Sequence, residues 1–273
     1  MYEQSKTHDR LARLGLSQRW TDRPRAQFEV ERALESGLVG LARRCLSRHG
    51  ASAGEVLEGA PESWWFDRDE LVVVVTGFGP FLQHSFNPSW RVAAAVAAEL
   101  EGAFTVRTDR LAVTHAAVEE FAALLPWDDE DLFALHFGLG ASREQVCMER
   151  YAHNCRGSTP DESQREGYAP FLSHNGPAAR ETCLPVDTLV ESYEEEVDGC
   201  DGIPGARQSR DAGDYVCNNL YYRSLSAAAS TRRDDGAAAA LFTHVPHLDD
   251  SDADRLGRFF GRLLLEHLTG WFA

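Results

Sequence analysis

The sequence predicts an α/β protein with three layers, α/β/α, in which helices cover both faces of a mostly parallel sheet. From residue 71 onward apolar runs alternate with helical patterns, and this alternation is typical of parallel strands joined by helices. The 273 residues and the 43% hydrophobic content are enough for one sizeable α/β domain. We place that domain at residues 69–273 and an N-terminal helical extension at residues 1–68.

The extension shows apolar positions with helical spacing between residues 26 and 48, which predicts one or two short helices that end near Gly50. Trp64, Trp65 and Phe66 precede the first strand and are expected to anchor the extension to the domain. The extension is interpreted as an accessory helical element or as an oligomer interface.

Apolar, β-branched runs predict the strands of the domain, and helical spacing of apolar residues predicts its helices. The expected strands are 71–76, 104–113, 132–139 and 241–246, and the expected helices are 88–100, 114–125, 216–229 and 251–268. Ser251 is the expected N-cap of the last helix. Residues 155–180 and 199–209 are polar and aperiodic, which predicts loops, the second of them near enough to residue 217 to gate a site.

Composition excludes several classes of partner. The net charge of −16 argues against a nucleic-acid partner, and the loop after the first strand lacks the spacing of a phosphate-binding motif. No apolar stretch approaches the ~20 residues of a membrane span, and the N-terminus lacks the pattern of a signal peptide, so a cytoplasmic protein is expected. The six cysteines form no CxxC pair, which predicts free thiols, no metal and no cofactor.

Cys217 stands out because it lies between a glycine-containing loop and the first turn of the expected helix 216–229. Unpaired N–H groups and the positive end of the helix dipole favour a thiolate, the form of cysteine that attacks carbonyl groups. A lone cysteine can equally be a small buried apolar residue. A nucleophile also requires a base and a group that orients the base.

Two residues are candidates for these roles. His244 ends an apolar strand, and Glu149 follows the apolar run 132–139. In a parallel sheet, sites form outside the carboxyl ends of strands, so these residues can converge on Cys217. Taken singly, His244 could be a hydrogen-bonded strand histidine, and Glu149 could form a surface ion pair with Arg150.

Several separated segments resemble, in the same order, the pyroglutamyl peptidase I (pyrrolidone-carboxylate peptidase) family. The resemblance covers roughly residues 70–270. It is carried by Val72–Phe81 with Asn87–Trp90, by Gly138–Asn154, by Gly176-Pro177 with Leu184-Pro185, by Asp211–Tyr222 and by Phe242–Pro246.

The resemblance implies a cysteine exopeptidase that removes an N-terminal pyroglutamyl residue from peptides through a thioester. It matches Cys217 to the nucleophile, His244 to the general base and acid, and Glu149 to the third member of the triad. Phe78, Phe81 and Tyr215 match family positions that line the substrate pocket, and Asn87 matches a position at its rim. The backbone N–H of Cys217 is the expected oxyanion donor, and Arg156 is a further candidate.

The chain departs from the family pattern beside the pocket. Leu82 and Gln83 stand where the family usually has two glycines, and they add bulk and restrict the backbone beside the pocket. Position 215 is Tyr where some relatives have Phe, and its hydroxyl requires a hydrogen-bond partner or water. The alternatives are an amidase or acyltransferase that acts on another lactam or amide, and a silent pyroglutamyl-binding relative. Family members are often oligomers, so a homo-oligomer is left open.

Overall fold

A computed structural model describes residues 71–81, 86–128, 131–164, 169–200, 202–231 and 238–271. The strands are β1 (Val72–Phe78), β2 (Thr105–Leu111), β3 (Leu132–Leu139), β4 (Val146–Glu149), β5 (Tyr151–His153), β6 (Ala179–Glu181), β7 (Ala206–Ser209) and β8 (Ala238–Val245). The helices are α1 (Pro88–Leu100), α2 (His115–Leu124), α3 (Val186–Val197), α4 (Val216–Ala228) and α5 (Asp250–Trp271). The predictions for residues 1–68, including Trp64, Trp65 and Phe66, and for Leu82 and Gln83 lie outside the described residues.

The central sheet has six strands in the order β2-β1-β3-β8-β4-β7. Strands β2, β1, β3 and β8 run parallel, β4 is antiparallel to β8, and β7 is parallel to β4. Strands β5 and β6 form a separate antiparallel pair. The predicted α/β class with a mostly parallel sheet is confirmed.

Helices cover both faces of the sheet. Strand β3 shows this, because its successive side chains point to opposite faces and contact different helices. On one face His136 contacts Ser224 of α4 and Phe121 of α2. On the other face Phe137 packs edge-on against Phe260 of α5, with ring centroids 5.6 Å apart. Helices α1 and α3 join this second layer, α1 at Gly257 of α5 and α3 through aromatic contacts with α5.

Most of the expected helix bounds agree with the structure, and three expectations are wrong. Residues 206–209 form strand β7, because their backbone groups pair with β4 and do not remain in a loop. Helix α5 begins at Asp250, and the side chain of Asp249, at 2.8 Å from the N–H of Asp252, supplies the cap expected from Ser251. The third concerns the position of Glu149 and is described with the site.

Within the described residues, no helix combines the length and the apolar character needed to cross a bilayer.

Candidate active site

Cys217 is the second residue of α4, as the sequence predicts. The N-cap residue, Tyr215, makes no side-chain hydrogen bond to the first turn, so the N–H groups of that turn receive no side-chain acceptor from the cap. The sulfur lies directly over β3: a Cβ added to Gly138 would be 3.0 Å from Cys217 Sγ. A glycine at this position therefore gives the thiol the space that it occupies.

Glu149 and His244 are neighbours in the sheet. His244 Nδ1 lies 2.8 Å from Glu149 Oε1, and both side chains are almost fully buried. Their approach follows from register, because Cys147 pairs with His244 and Glu149 pairs with Phe242 on the antiparallel strands β4 and β8. The two residues are therefore diagonal neighbours on one face of the sheet.

This register corrects the expected route of convergence. The sequence predicts Glu149 outside the carboxyl end of the strand at 132–139, whereas Glu149 is the last residue of β4, which runs antiparallel to β8. Glu149 thus lies inside the sheet, beside His244, and not beyond the sheet edge. The pair forms because a short antiparallel strand follows β3 after a tight turn, with the Arg143 N–H donating to the Gly140 carbonyl.

Cys217 and His244 border one cavity of about 270 Å³. Its walls are largely apolar and include Phe78, Phe81, Val113 and Leu139. All four sequence-predicted substrate positions line it, namely Phe78, Phe81, Asn87 and Tyr215. Across the described residues no hydrogen bond joins the Cys217 thiol to the His244 ring, and such bonds often tighten only when substrate binds.

Burial of Cys217 works against the thiolate that the start of the helix favours. The pKa of the Cys217 thiol is raised from 9.0 to about 12, first by withdrawal from water and then by the negative charge of Glu149. A backbone hydrogen bond and the positive charge of Arg143 lower this pKa, but the loss of solvation outweighs both. The resting thiol is therefore protonated, and a base is required to activate it.

Asn87 lines the cavity but uses its amide to build the cavity wall. Its Oδ1 accepts hydrogen bonds from the N–H and the hydroxyl of Ser89, which caps α1. Its Nδ2 donates to the carbonyl of Gly79 at 2.9 Å. Ser89 Oγ in turn accepts the N–H of Phe78. Asn87 thus fixes the loop after β1 and so fixes Phe78 and Gly79.

Tyr215 and Arg156 hold the segment that faces the start of α4. The Tyr215 hydroxyl donates to the carbonyl of Pro160 at 3.1 Å, which supplies the partner that the sequence argument required. Arg156 Nη2 lies 2.6 Å from Glu119 Oε1 on α2, and Arg156 is not among the residues that border the cavity. The structure therefore ties the Arg156 guanidinium to α2.

Arg143 is the residue at this site that the sequence reasoning missed. It borders the cavity, and its Nη2 lies 3.1 Å from Glu149 Oε1. A signal was available, since a single cation occurs between the apolar strand β3 and Glu149. Sequence reasoning could not show that this cation turns back onto the carboxylate.

Comparison with known proteins agrees with the geometry. The sequence profile of the pyroglutamyl peptidase family matches residues 71–265. A pyrrolidone-carboxylate peptidase of Halalkalibacterium halodurans is 31% identical over 189 residues, covering 64% of this chain and 83% of that protein. Another, from Thermococcus onnurineus, is 31% identical over 189 residues, covering 68% of this chain and 88% of that protein.

Solved structures share the fold. Pyroglutamyl peptidase I of Bacillus amyloliquefaciens superposes with a TM-score of 0.59 at 24% identity, covering 72% of this chain and 98% of that one. Pyrrolidone carboxyl peptidase of Thermococcus litoralis gives a TM-score of 0.59 at 21% identity, covering 73% of this chain and 95% of that one. The profile match, the related sequences and the shared fold agree, and the chain belongs to the pyroglutamyl peptidase family of cysteine-type hydrolases.

Proposed function

We propose that Cys217, His244 and Glu149 form the triad with which this family member removes an N-terminal pyroglutamyl residue from peptides. The observation that carries the proposal is the buried hydrogen bond of 2.8 Å between His244 Nδ1 and Glu149 Oε1, beside a cavity that Cys217 also borders. A carboxylate on Nδ1 holds the proton of neutral imidazole on that nitrogen. Nε2 is then the acceptor for the thiol proton.

The chemistry is acyl transfer in two steps. His244 Nε2 takes the Cys217 proton as Sγ attacks the carbonyl that follows the pyroglutamyl ring, and the tetrahedral intermediate collapses to a thioester when the imidazolium protonates the departing amine. A water molecule, deprotonated by His244, then attacks the thioester and releases pyroglutamate and the thiol. The backbone N–H of Cys217, in the first turn of α4, is the proposed oxyanion donor.

The cavity supports a small, uncharged acyl group. Its volume of about 270 Å³ lies below the roughly 300–1,000 Å³ of sites for drug-sized ligands. Phe78, Phe81, Val113 and Leu139 offer apolar surface to a lactam ring, and Asn87 and Tyr215 already have hydrogen-bond partners in the protein. A free N-terminal ammonium group would lose its hydration in such a cavity, which disfavours ordinary N-termini.

The domain boundary and the cellular location are two further proposals. The family match over residues 71–265 supports a catalytic domain that begins near residue 69. The five described cysteines are free, which supports action in a reducing compartment such as the cytoplasm. Subcellular fractionation with an antibody against the full chain checks the location, and sedimentation of the full chain tests for a homo-oligomer.

The proposed activity is tested by the release of a fluorescent amine from a pyroglutamyl amide, with a prolyl amide as the substrate control. We expect the wild-type chain to cleave only the pyroglutamyl amide and Cys217→Ala to lose turnover, because among the described residues Cys217 is the cysteine that borders the cavity. Cys200→Ser is the matched control, since Cys200 is an exposed free cysteine and does not border the cavity. Turnover by folded Cys217→Ala would refute the proposed nucleophile, and cleavage of a different amide would indicate an altered substrate.

A further inference from the structure

Arg143 borders the cavity but has no role in the two proposed steps of acyl transfer. Its guanidinium touches the proposed triad carboxylate and the chain segment that leads to the proposed nucleophile. We propose that Arg143 is a positioning residue, which holds Glu149 towards His244 and ties the Ser209–Asp211 segment to the triad. This inference rests on the proposed function of Cys217, His244 and Glu149.

The first observation is the environment of Glu149. Its side chain is fully buried, and Oε1 receives both His244 Nδ1 at 2.8 Å and Arg143 Nη2 at 3.1 Å. Its Oε2 has no hydrogen-bond partner within the described part of the protein. A buried carboxylate with one unsatisfied oxygen depends on its remaining contacts for both charge balance and orientation. Arg143 is the permanent cation among those contacts, whereas His244 is charged only when it carries a second proton.

The second observation is that one guanidinium spans three partners. Besides Glu149, Arg143 donates from Nη1 to Ser209 Oγ at 3.2 Å and from Nη2 to the carbonyl of Asp211 at 2.6 Å. Ser209 ends β7, and the chain continues through Ala212 to Tyr215, which border the cavity, and then into α4. Arg143 therefore couples the position of the carboxylate to that of the cavity wall beside Cys217.

The third observation is that the fold reserves space for this side chain. A Cβ added to Gly140 would lie 2.9 Å from Arg143 Cδ and Cγ and 3.2 Å from His244 Cβ. A side chain at position 140 would therefore displace the aliphatic part of Arg143. The arginine is thus packed in place as well as paired.

Charge balance explains why a cation is useful here. With Arg143 present, the group of Cys217, His244, Glu149 and Arg143 is neutral when the proton is on sulfur and also when it is on imidazole. Without Arg143, no positive charge would offset the repulsion between the Glu149 carboxylate and the Cys217 thiolate. In agreement with this, Glu149 raises the pKa of Cys217 and Arg143 lowers it. The other group that faces Glu149 is Tyr221 of α4, whose hydroxyl donates to the Glu149 carbonyl.

The test compares Arg143→Gln, Arg143→Lys and the matched control Arg207→Gln in the full chain. Arg207 is an exposed arginine on β7, opposite Cys147 and outside the cavity. The first readout is turnover of the pyroglutamyl amide: we expect kcat to fall by about 100-fold in Arg143→Gln with little change in KM. Arg143→Lys should recover part of this loss, because it keeps the charge and loses the fork of donors. Arg207→Gln should match the wild type.

The second readout needs no substrate. The rate of Cys217 alkylation by iodoacetamide, followed by peptide mass spectrometry, reports the thiolate fraction at each pH. We expect Arg143→Gln to be alkylated several-fold more slowly than the wild type and than Arg207→Gln. If the wild type cleaves no pyroglutamyl amide, the proposed function fails, while the alkylation rates still test Arg143. If folded Arg143→Gln keeps the wild-type kcat and alkylation rate, the inference about Arg143 is overturned. If Arg143→Gln does not fold, kcat and the alkylation rate of Arg143→Lys are compared with those of the wild type instead, and equal values overturn the inference.

Discussion

At the scale of single residues, burial is the main cause of the pKa shifts of Cys217 and His136. The Cys217 thiol shows this, because the loss of solvation raises its pKa against the effects of a backbone hydrogen bond and Arg143. His136 shows it more simply. It is fully buried between Thr76 and Ser224, which lie 2.8 Å and 2.9 Å from its two ring nitrogens, and burial lowers its pKa to about 3. The fold therefore holds His136 as a neutral imidazole that links β1, β3 and α4.

We predict that His136 makes the stability of the fold sensitive to acid. Because the pKa of His136 is about 3 in the fold and 6.5 ordinarily, the unfolded chain binds a proton between these values that the folded chain does not. The free energy of unfolding should fall as the pH falls through this window, by about 1.4 kcal/mol per pH unit from this residue. Urea unfolding at a series of pH values measures how the free energy of unfolding depends on pH. In His136→Asn the contribution of this residue to that dependence should be absent.

The exposed His247 supplies the control for that experiment. His247→Asn controls for the replacement of a histidine by asparagine, and its slope is compared with that of His136→Asn. An unchanged slope in His136→Asn would mean that His136 is not the residue that binds the additional proton on unfolding.

At the scale of elements, the loop between β1 and α1 joins a helix cap to the cavity wall. Asn87 caps α1 through its Oδ1 and holds the Gly79 carbonyl through its Nδ2. A further hydrogen bond connects Ser89 to the backbone of Phe78. The helix start and the aromatic wall of the proposed substrate pocket therefore depend on the same side chain.

Two substitutions of Asn87 should separate these roles. Asn87→Ala removes both the cap and the loop contact, so we expect a loss of about 1–2 kcal/mol in unfolding free energy together with a higher KM. Asn87→Asp keeps a capping oxygen but cannot donate to the Gly79 carbonyl, so stability should be largely retained while KM still rises. Denaturant unfolding and steady-state kinetics on the pyroglutamyl amide measure the two effects. Equal KM values in Asn87→Asp and the wild type would show that the loop contact does not shape the pocket.

At the scale of the whole molecule, the chain carries a net charge of −16, with 43 acidic and 27 basic side chains among its 273 residues. Like charges on a folded chain repel one another, and dissolved salt weakens this repulsion. The screening length is about 10 Å at 0.1 M ionic strength. The excess of carboxylates thus opposes the folded state most strongly in dilute buffer.

We predict that added salt stabilises the protein. Raising the NaCl concentration from low to moderate should increase the melting temperature, and a gain of about 1 kcal/mol corresponds to about 2–4 °C for a chain of this size class. Differential scanning fluorimetry of the full chain measures the shift. KCl should have the same effect as NaCl, because screening depends on ionic strength. A melting temperature that stays constant or falls would show that repulsion among surface charges is a minor term.

The amino-acid sequence by itself determined the longer strands and most of the helices of this protein, and the identity of the candidate triad, whereas β4 to β7 were not among the expected strands. The apolar runs and helical spacings that define β1, β3, α1 and α4 are local, and each of these elements forms close to its expected bounds. The position of Cys217 in the first turn of α4 is likewise local. Each motif that resembles the family is a continuous stretch of sequence, so it can be identified without knowing which residues are in contact in the fold.

Only the tertiary structure decided the direction of β4, the contacts of Arg143 and the protonation of Cys217. Strand direction depends on which neighbour offers hydrogen-bond partners, and β4 pairs antiparallel with β8, which follows it by about a hundred residues of chain. The contact between Arg143 and Glu149 depends on that pairing and on the space above Gly140. The pKa of Cys217 depends on how much water the assembled cavity admits, which is a property of the packed chain and not of the residues near Cys217 in sequence.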